Sequence, residues 1–228
     1  REYLVNVGRQ DLDRVEFDDQ SGFSVSSVGD VNGDGFDDLI VGAYGAEPNG
    51  GNSGSSYVVF GKASGFAANL NLSSLDGTNG FRLDGVAAGD ESGFSVSSAG
   101  DVNGDGFDDV IVGANGADPN GLSSGSSYVV FGKASGFAAS INLSSLDGTN
   151  GFRLHGVAVN DRSGFSVSSA GDVNGDGFDD LIVGAINADP NGANSGSSYV
   201  VFGKASGFAA STNLSSLDGT NGFRLDGV

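Results

Sequence analysis

The chain consists of a 71-residue unit that occurs three times. Asp30, Asp101 and Asp172 begin near-identical stretches at that spacing, which read DVNGDGFDDLIVGA, DVNGDGFDDVIVGA and DVNGDGFDDLIVGA. Residues 22–86 and 93–157 differ at nine of 65 positions. An internal repeat of this kind takes precedence over every other sequence signal for the fold class.

Each unit predicts four short β-strands and no helix of useful length. In the first unit FSVSS (23–27) and FRLDGV (81–86) alternate, and DLIVGA (38–43) and SYVVFGK (56–62) are short apolar runs. Clusters of Gly, Asn, Asp and Ser separate them, and LSSL (72–75) is at most one helical turn. Four short strands per tandem unit predict an all-β fold of propeller-type blades, each with four antiparallel strands. A parallel β-helix ranks second, because it would need a much shorter period.

The repeat also predicts the boundaries along the chain. We expect an N-terminal strand segment at 1–20 and three blades at 21–86, 87–157 and 158–228. At the same period QDLDRV (10–15) aligns with FRLDGV and matches it at three positions. The segment is therefore predicted to be a degenerate copy of the fourth strand.

Composition excludes several classes of function. The formal net charge of −19 argues against nucleic acid and anionic membranes as partners, and it is compatible with bound cations. No apolar run approaches the roughly 20 residues that span a bilayer, so we expect no membrane insertion. With no Cys and one His, the chain offers neither a thiolate metal site nor a repeated Ser-His-Asp triad, and we predict no enzymatic activity.

The acidic stretch of each unit has the ligand spacing of a loop that binds a hard cation. In the first unit Asp30 is position 1, Asn32 position 3, Asp34 position 5, Phe36 position 7 and Asp38 position 9. Alternate side chains of a tight loop point inward, the glycine at position 6 permits the turn, and the carbonyl of position 7 completes the cage. A flexible, carboxylate-rich cage suits Ca²⁺ better than Mg²⁺. We therefore expect three Ca²⁺ sites, one per repeat.

The same ligands recur in the other two repeats. They are Asp101, Asn103, Asp105, Phe107 and Asp109 in the second loop and Asp172, Asn174, Asp176, Phe178 and Asp180 in the third. The alternative is an ion-free hairpin turn, because Asn-Gly and Asp-Gly are also common turn dipeptides. A turn needs one such pair, whereas the four aspartates of one loop would repel each other if uncompensated. The side chain of Asp37, at position 8, is expected to point away from the ion site into solvent.

The order of these segments resembles a known repeat. GFSVSSAGDVNGDGFDDLIVGA followed by YVVFG is similar to the FG-GAP repeat of integrin α-subunit propellers and their bacterial relatives. The resemblance covers residues 21–228. The chain departs from the family in blade number, since the family usually closes seven blades and three repeats are present here.

The resemblance implies calcium in the hairpin between the first two strands and a ligand surface on the opposite face. That surface would comprise the loops 44–55, 115–126 and 186–197 and the links 87–92 and 158–163. Differences among the repeats concentrate there. Neutral sequence drift in loops that have no structural role explains these differences equally well.

These features lead to three hypotheses for function. The first is a non-enzymatic, calcium-binding extracellular propeller for adhesion, protein interaction or structural assembly, with a protein or glycan ligand on the loop face. Weak calcium sites fill where calcium is near millimolar, so we expect a secreted or cell-surface location. The second is a carbohydrate-binding, lectin-like propeller, and the third is a non-catalytic propeller segment of a larger secreted protein. The second ranks lower, because sugars would require aromatic platforms and the variable loops offer only Tyr44. We place Phe23, Phe60, Phe66 and Phe81, with their counterparts in the other repeats, in the core.

Three blades are fewer than the four to eight that usually close a propeller. An open fan leaves apolar faces and strand edges exposed, so we expect self-association. Two copies would build a six-bladed ring, or residues 2–15 would pair with a neighbouring subunit. The rival is a compact three-bladed ring whose N-terminal segment folds back onto its own surface.

Overall fold

In a computed structural model of the protein, which describes residues 18–205 and 207–228, each repeat folds into an antiparallel four-stranded sheet. The strands of the first repeat are β1 (Ser24–Gly29), β2 (Asp38–Ala43), β3 (Ser55–Val59) and β4 (Gly80–Asp84). They pair in chain order, β1 with β2, β2 with β3 and β3 with β4. The predicted all-β fold with four antiparallel strands per repeat is confirmed.

The other two repeats contain the same elements and one further strand each. The second repeat contains β5 (Ser92–Gly100), β6 (Asp109–Ala114), β7 (Ser126–Val130), β8 (Ser140–Asn142) and β9 (Gly151–His155). The third contains β10 (Ser163–Gly171), β11 (Asp180–Ala185), β12 (Ser197–Val201), β13 (Ser211–Asn213) and β14 (Gly222–Asp226). The LSSL segments form single 3₁₀ turns at Leu72–Ser74, Leu143–Ser145 and Leu214–Ser216.

The second and third repeats each donate a short strand to the sheet of the preceding repeat, which the sequence did not predict. Strand β8, from the second repeat, pairs in parallel with β4 and becomes the fifth strand of the first sheet. Strand β13, from the third repeat, adds to β9 of the second sheet in the same way. The sheets therefore cross the predicted boundary at residues 86 and 87 and its counterpart one repeat later.

In the first sheet, cross-strand pairing places one row of apolar side chains on the face toward the second repeat. Ile40 pairs with Val58, and Val58 pairs in turn with Phe81. All three side chains are fully buried. β-Branched and aromatic residues pack well across a pleated surface, so this row stabilises both the sheet and its contact with the next repeat.

The core lies between successive sheets rather than inside any one of them. At the first interface Ile40 and Phe81 pack with Val96 and Val110 of the second repeat. The second interface repeats this arrangement with the counterparts of these residues. Burial of each such side chain contributes roughly 1.5–3 kcal/mol, so each repeat depends on its neighbour for most of its stability.

Over the described residues the series of sheets is open and does not close into a ring. The placement of Phe23 and Phe66 in the core was wrong, since each is 54% exposed. Their counterparts Phe94 and Phe137 pack on Phe23 and Phe81 of the preceding repeat, with ring centroids 4.9 and 4.5 Å apart. Among the described residues no repeat precedes the first one, which is why Phe23 and Phe66 stay exposed. The predicted strand copy at 10–15 lies outside the described residues.

Candidate metal centres

The acidic loop of the first repeat joins β1 to β2 and closes around the carboxylate of Asp30. Asp30 Oδ1 accepts a hydrogen bond from the Asp34 N–H (2.9 Å), and Oδ2 accepts one from the Gly35 N–H (2.8 Å). Gly35 has φ of 89°, in the left-handed region, which permits the turn that aims these N–H groups at position 1. Position 1 therefore organises the loop backbone.

Positions 3 and 5 form the second half of the same loop. Asn32 Oδ1 accepts from the Asp34 N–H (2.9 Å), and Asn32 Nδ2 donates to Asp34 Oδ2 (3.1 Å). Asp34 Oδ1 accepts from the Phe36 N–H (3.0 Å). The corresponding bonds of the second and third loops have the same partners and nearly the same lengths.

The aspartate at position 9 lies beneath the loop and is fully buried in all three repeats. Asp38 Oδ2 accepts from the Val31 N–H (3.0 Å), and Oδ1 accepts from the Gly61 N–H (2.8 Å). Asp109 and Asp180 make the equivalent pairs of bonds. Each thus joins the start of its loop to the residues that follow the third strand.

Burial disfavours the charged form of Asp38 and Asp109. It raises the pKa of Asp38 to about 6, although hydrogen bonds from Gly61 and Val31 oppose the rise. It raises the pKa of Asp109 to about 8, again against two backbone hydrogen bonds. In both loops the carboxylates at positions 5 and 1 add to the rise, because like charges disfavour ionisation.

The residues of each loop fit a hard cation by their chemistry. Positions 1, 5 and 9 offer carboxylates, position 3 an amide oxygen and position 7 a carbonyl, and the loop contains no cationic side chain. In the described part of the chain no three acidic or imidazole side chains stand together as a preformed metal site. Their oxygens instead accept N–H groups of the loop, and each carboxylate oxygen has a second lone pair for a metal. Calcium binding by the predicted residues stays a prediction.

The sequence missed the role of the aspartate at position 8. Asp108 Oδ2 accepts a hydrogen bond from the Asp30 N–H (2.8 Å), and Asp179 Oδ2 accepts one from the Asp101 N–H (2.9 Å). The first strands of successive repeats pack together, which brings each loop against the preceding one. Asp37 is exposed, as expected, whereas its counterparts Asp108 and Asp179 bind the preceding loop. The identity of this residue in all three repeats was the one signal available.

Position 7 also links neighbouring loops. A Cβ atom at Gly33 would overlap the ring of Phe107, and one at Gly104 would overlap the ring of Phe178. Both glycines also have φ of 72°. The rings of Phe107 and Phe178 therefore each lie against the preceding loop.

The opposite ends of the same strands carry a row of aromatic side chains. Phe23 immediately precedes β1 and Asp30 follows it, so the two residues lie at opposite ends of that strand. Phe23 lies 4.9 Å from Phe94, which lies 4.9 Å from Phe165, measured between ring centroids. Tyr44 contacts both Phe23 (4.9 Å) and Phe94 (5.4 Å). The face with the predicted ligand loops therefore contains an aromatic row that the sequence interpretation assigned to the core.

Two further observations bear on the class of protein. The helices of the described residues are single 3₁₀ turns, and none is long and apolar enough to cross a membrane. The FG-GAP repeat family model matches residues 21–59, 92–130 and 163–201, which is just over half of the chain. FG-GAP repeats form propeller-like modules used in protein interaction, are generally non-catalytic and are typical of extracellular and cell-surface proteins. The chain belongs to the FG-GAP repeat family.

Proposed function

We propose that this chain is a non-enzymatic extracellular module that binds one Ca²⁺ in each acidic loop and presents the opposite face to a ligand. One observation carries the proposal. In each repeat a fully buried aspartate lies beneath a loop with three more carboxylates and no cationic side chain. A bound divalent cation would offset the repulsion and the desolvation that raise the pKa of Asp38 and Asp109.

Bound calcium would hold neighbouring strands of each sheet together. The loops join the first and second strands of each sheet, and Asp38 also holds the backbone that follows the third. The hydrogen bonds that Asp108 and Asp179 accept from the preceding loops would extend this order from one repeat to the next. The opposite face is then free to vary, which agrees with the differences among its loops.

Calorimetric titration of calcium tests the proposal. The wild-type chain should bind three ions, and Asp34→Asn should bind two, because it removes a ligand of the first loop alone. Asp37→Asn is the matched control, since it removes the same charge from an exposed residue of that loop. Absence of calcium binding by the wild type, or equal loss of sites in both variants, would contradict the assignment.

Carbohydrate is a second candidate ligand for the loop face, supported by the aromatic row. Rings of this size offer flat apolar surfaces for the faces of sugars, and Phe23 and Tyr44 provide two of them at 4.9 Å. A glycan array probed with the wild type and with Tyr44→Ala would test this reading. Binding lost in Tyr44→Ala and retained in Asn115→Ala, its counterpart in the second repeat, would support a glycan ligand at that end. A blank array would favour a protein ligand.

A further inference from the structure

The two internal interfaces between repeats have the same strand pairing. In the first, β8 adds to the outer edge of β4, and the Arg82 N–H donates to the Ala139 carbonyl (2.9 Å). In the second, β13 adds to β9, and the Arg153 N–H donates to the Ala210 carbonyl (3.1 Å). The first and second repeats therefore each receive a strand from the repeat that follows.

A third donor segment and a third acceptor edge are present, and neither has a strand partner among the described residues. The outer edge of β14 pairs with no strand in that part of the chain. Residues 69–71, the first-repeat counterpart of β8, likewise belong to no sheet of the described structure. Exposed strand edges of this kind are templates for pairing with another chain.

The third repeat exposes the side chains that its predecessors bury. Leu225 is 50% exposed and Val173 is 51% exposed, and Phe223 is also exposed. Their counterparts in the first two repeats are buried in the two internal interfaces: Leu83, Val31, Phe81, Leu154, Val102 and Phe152. The end face of the third repeat is therefore an interface surface without a partner among the described residues.

The first repeat exposes the complementary set. Leu39 is 52% exposed, and Val25 and Phe66 are exposed as well. The counterparts of Leu39 and Val25 in the later repeats are buried: Val110, Leu181, Val96 and Val167. Phe208, the third-repeat counterpart of Phe66, stacks on Phe152 with centroids 4.6 Å apart. The first repeat thus exposes the surface that would complement the exposed end face of the third repeat.

Polar groups and glycines follow the same division. Asp108 and Asp179 each accept from the loop of the preceding repeat, whereas Asp37 has no such partner in the described structure. At the other end, Gly171 and Gly175 face open space, although their counterparts lie against the aspartate and phenylalanine of the following loop. The match between the two end faces therefore includes apolar side chains, strand edges and loop contacts.

We propose that a second copy of this chain docks its first repeat onto the third repeat, head to tail, with residues 69–71 adding in parallel to β14. The contact would reproduce the interface that the chain forms twice internally. The observations that support this contact do not involve calcium binding. It is heterologous, so it closes into a ring or continues as a filament according to the angle between repeats. The net charge of −19 opposes the approach of two copies, and association should strengthen as salt rises.

Residues 10–15 are the competing occupant, because QDLDRV is a degenerate copy of FRLDGV (223–228), which includes most of β14. If that segment fills the place of β14 beside residues 69–71 of its own chain, the first repeat is closed to a second copy. The protein would then remain a monomer at every concentration. The mass in solution separates these outcomes.

The experiment is light scattering on the full chain and on two variants, from about 1 to about 200 µM in salt above physiological strength. The wild type should have a mass that is a multiple of 22.7 kDa. Leu39→Asp blocks one end face and Leu225→Asp blocks the other, and each should weaken association on the order of 100-fold, because it buries a charge. Val159→Asp is the control, since Val159 is equally exposed but lies in the link between repeats.

Mixing the two variants distinguishes this contact from any symmetric one. Each variant keeps the end face that the other lacks, so an equimolar mixture should form a dimer although each variant alone is monomeric. Far-UV circular dichroism checks their fold, and Leu39→Ser and Leu225→Ser replace any variant that is not native. A monomeric wild type over the whole range would overturn the proposal. So would a mixture that remains monomeric, or association that both variants retain.

Discussion

Position 155 shows how one residue changes the side-chain pairing of an otherwise repeated structure. In the first repeat Arg82 pairs with Asp84 at 2.6 Å, and in the third Arg224 pairs with Asp226 at the same distance. In the second repeat this place is taken by His155, whose Nδ1 lies 3.2 Å from the Ser126 hydroxyl. Burial lowers the pKa of His155, and the charge of Arg153 lowers it further. The second repeat therefore lacks an ion pair that its neighbours have.

This difference predicts a pH-dependent effect of His155→Asp. The folded state disfavours protonated His155, so its contribution to stability is present above a pH of about 6.5 and is lost as pH falls below it. In the variant the new carboxylate should pair with Arg153 and add up to about 1 kcal/mol at neutral pH, since such half-exposed pairs are worth little. The advantage of the variant should increase between about pH 7.5 and pH 5.5 in urea unfolding. Asp84→His is the converse control and should lose stability, with a larger loss at the lower pH.

At the scale of elements, the acidic loops are linked to one another as well as to their own strands. Each of the first two loops has the phenylalanine and the aspartate of the next loop against its glycines. The third loop has no such cover among the described residues. The three loops are therefore identical in sequence but not in surroundings, and this asymmetry permits comparisons within one chain.

Gly104→Ala and Gly175→Ala form a matched pair for testing these loop contacts. Both glycines have positive φ, 72° and 78°, so alanine should cost about 1 kcal/mol at either site. At Gly104 the new methyl group would also meet the ring of Phe178, which should add roughly 1–3 kcal/mol. Urea unfolding in the Leu39→Asp background, where no second copy covers Gly175, would measure the difference. Equal losses in the two variants would show that the loops do not pack on one another.

The strands of this fold were predictable because their signals are local. The apolar run DLIVGA coincides with β2 (Asp38–Ala43), and FSVSS, SYVVFGK and FRLDGV each overlap the observed strand. Strands β8 and β13 were not predictable, since three residues carry no periodicity and their pairing depends on a different repeat. The same reason explains why Phe23 and Phe66 were misplaced in the core. Whether a repeated side chain is buried depends on which neighbour is present.

Aspartate at position 8 illustrates the same limit within the candidate site. The ligand spacing of positions 1 to 9 could be inferred from one loop, because it depends on the turn itself. The hydrogen bonds that the Asp30 and Asp101 N–H groups donate to Asp108 and Asp179 join residues 78 apart and depend on the three-dimensional packing. The ligand assignment within a loop stays a prediction from its own sequence, whereas the coupling between repeats could be found only in the structure.

At the scale of the whole molecule, stability depends on contacts between repeats and on charge. The core lies between the sheets, and the net charge of −19 works against bringing them together. Three bound divalent cations would offset part of that charge at the points where acidic residues are most crowded. We therefore expect the unfolding of the entire module to depend on calcium.

Thermal unfolding in excess calcium and in chelator tests this account most directly. Each site that binds the native state alone should add about 2.7 kcal/mol at a calcium concentration 100 times its Kd. With about 2–4 °C of melting temperature per kcal/mol for a chain of this size, three sites should raise Tm by more than about 10 °C. Magnesium at the same concentration should raise it far less, because the cage suits the larger ion. A Tm that is the same in calcium and in chelator would contradict the calcium-dependent module described above.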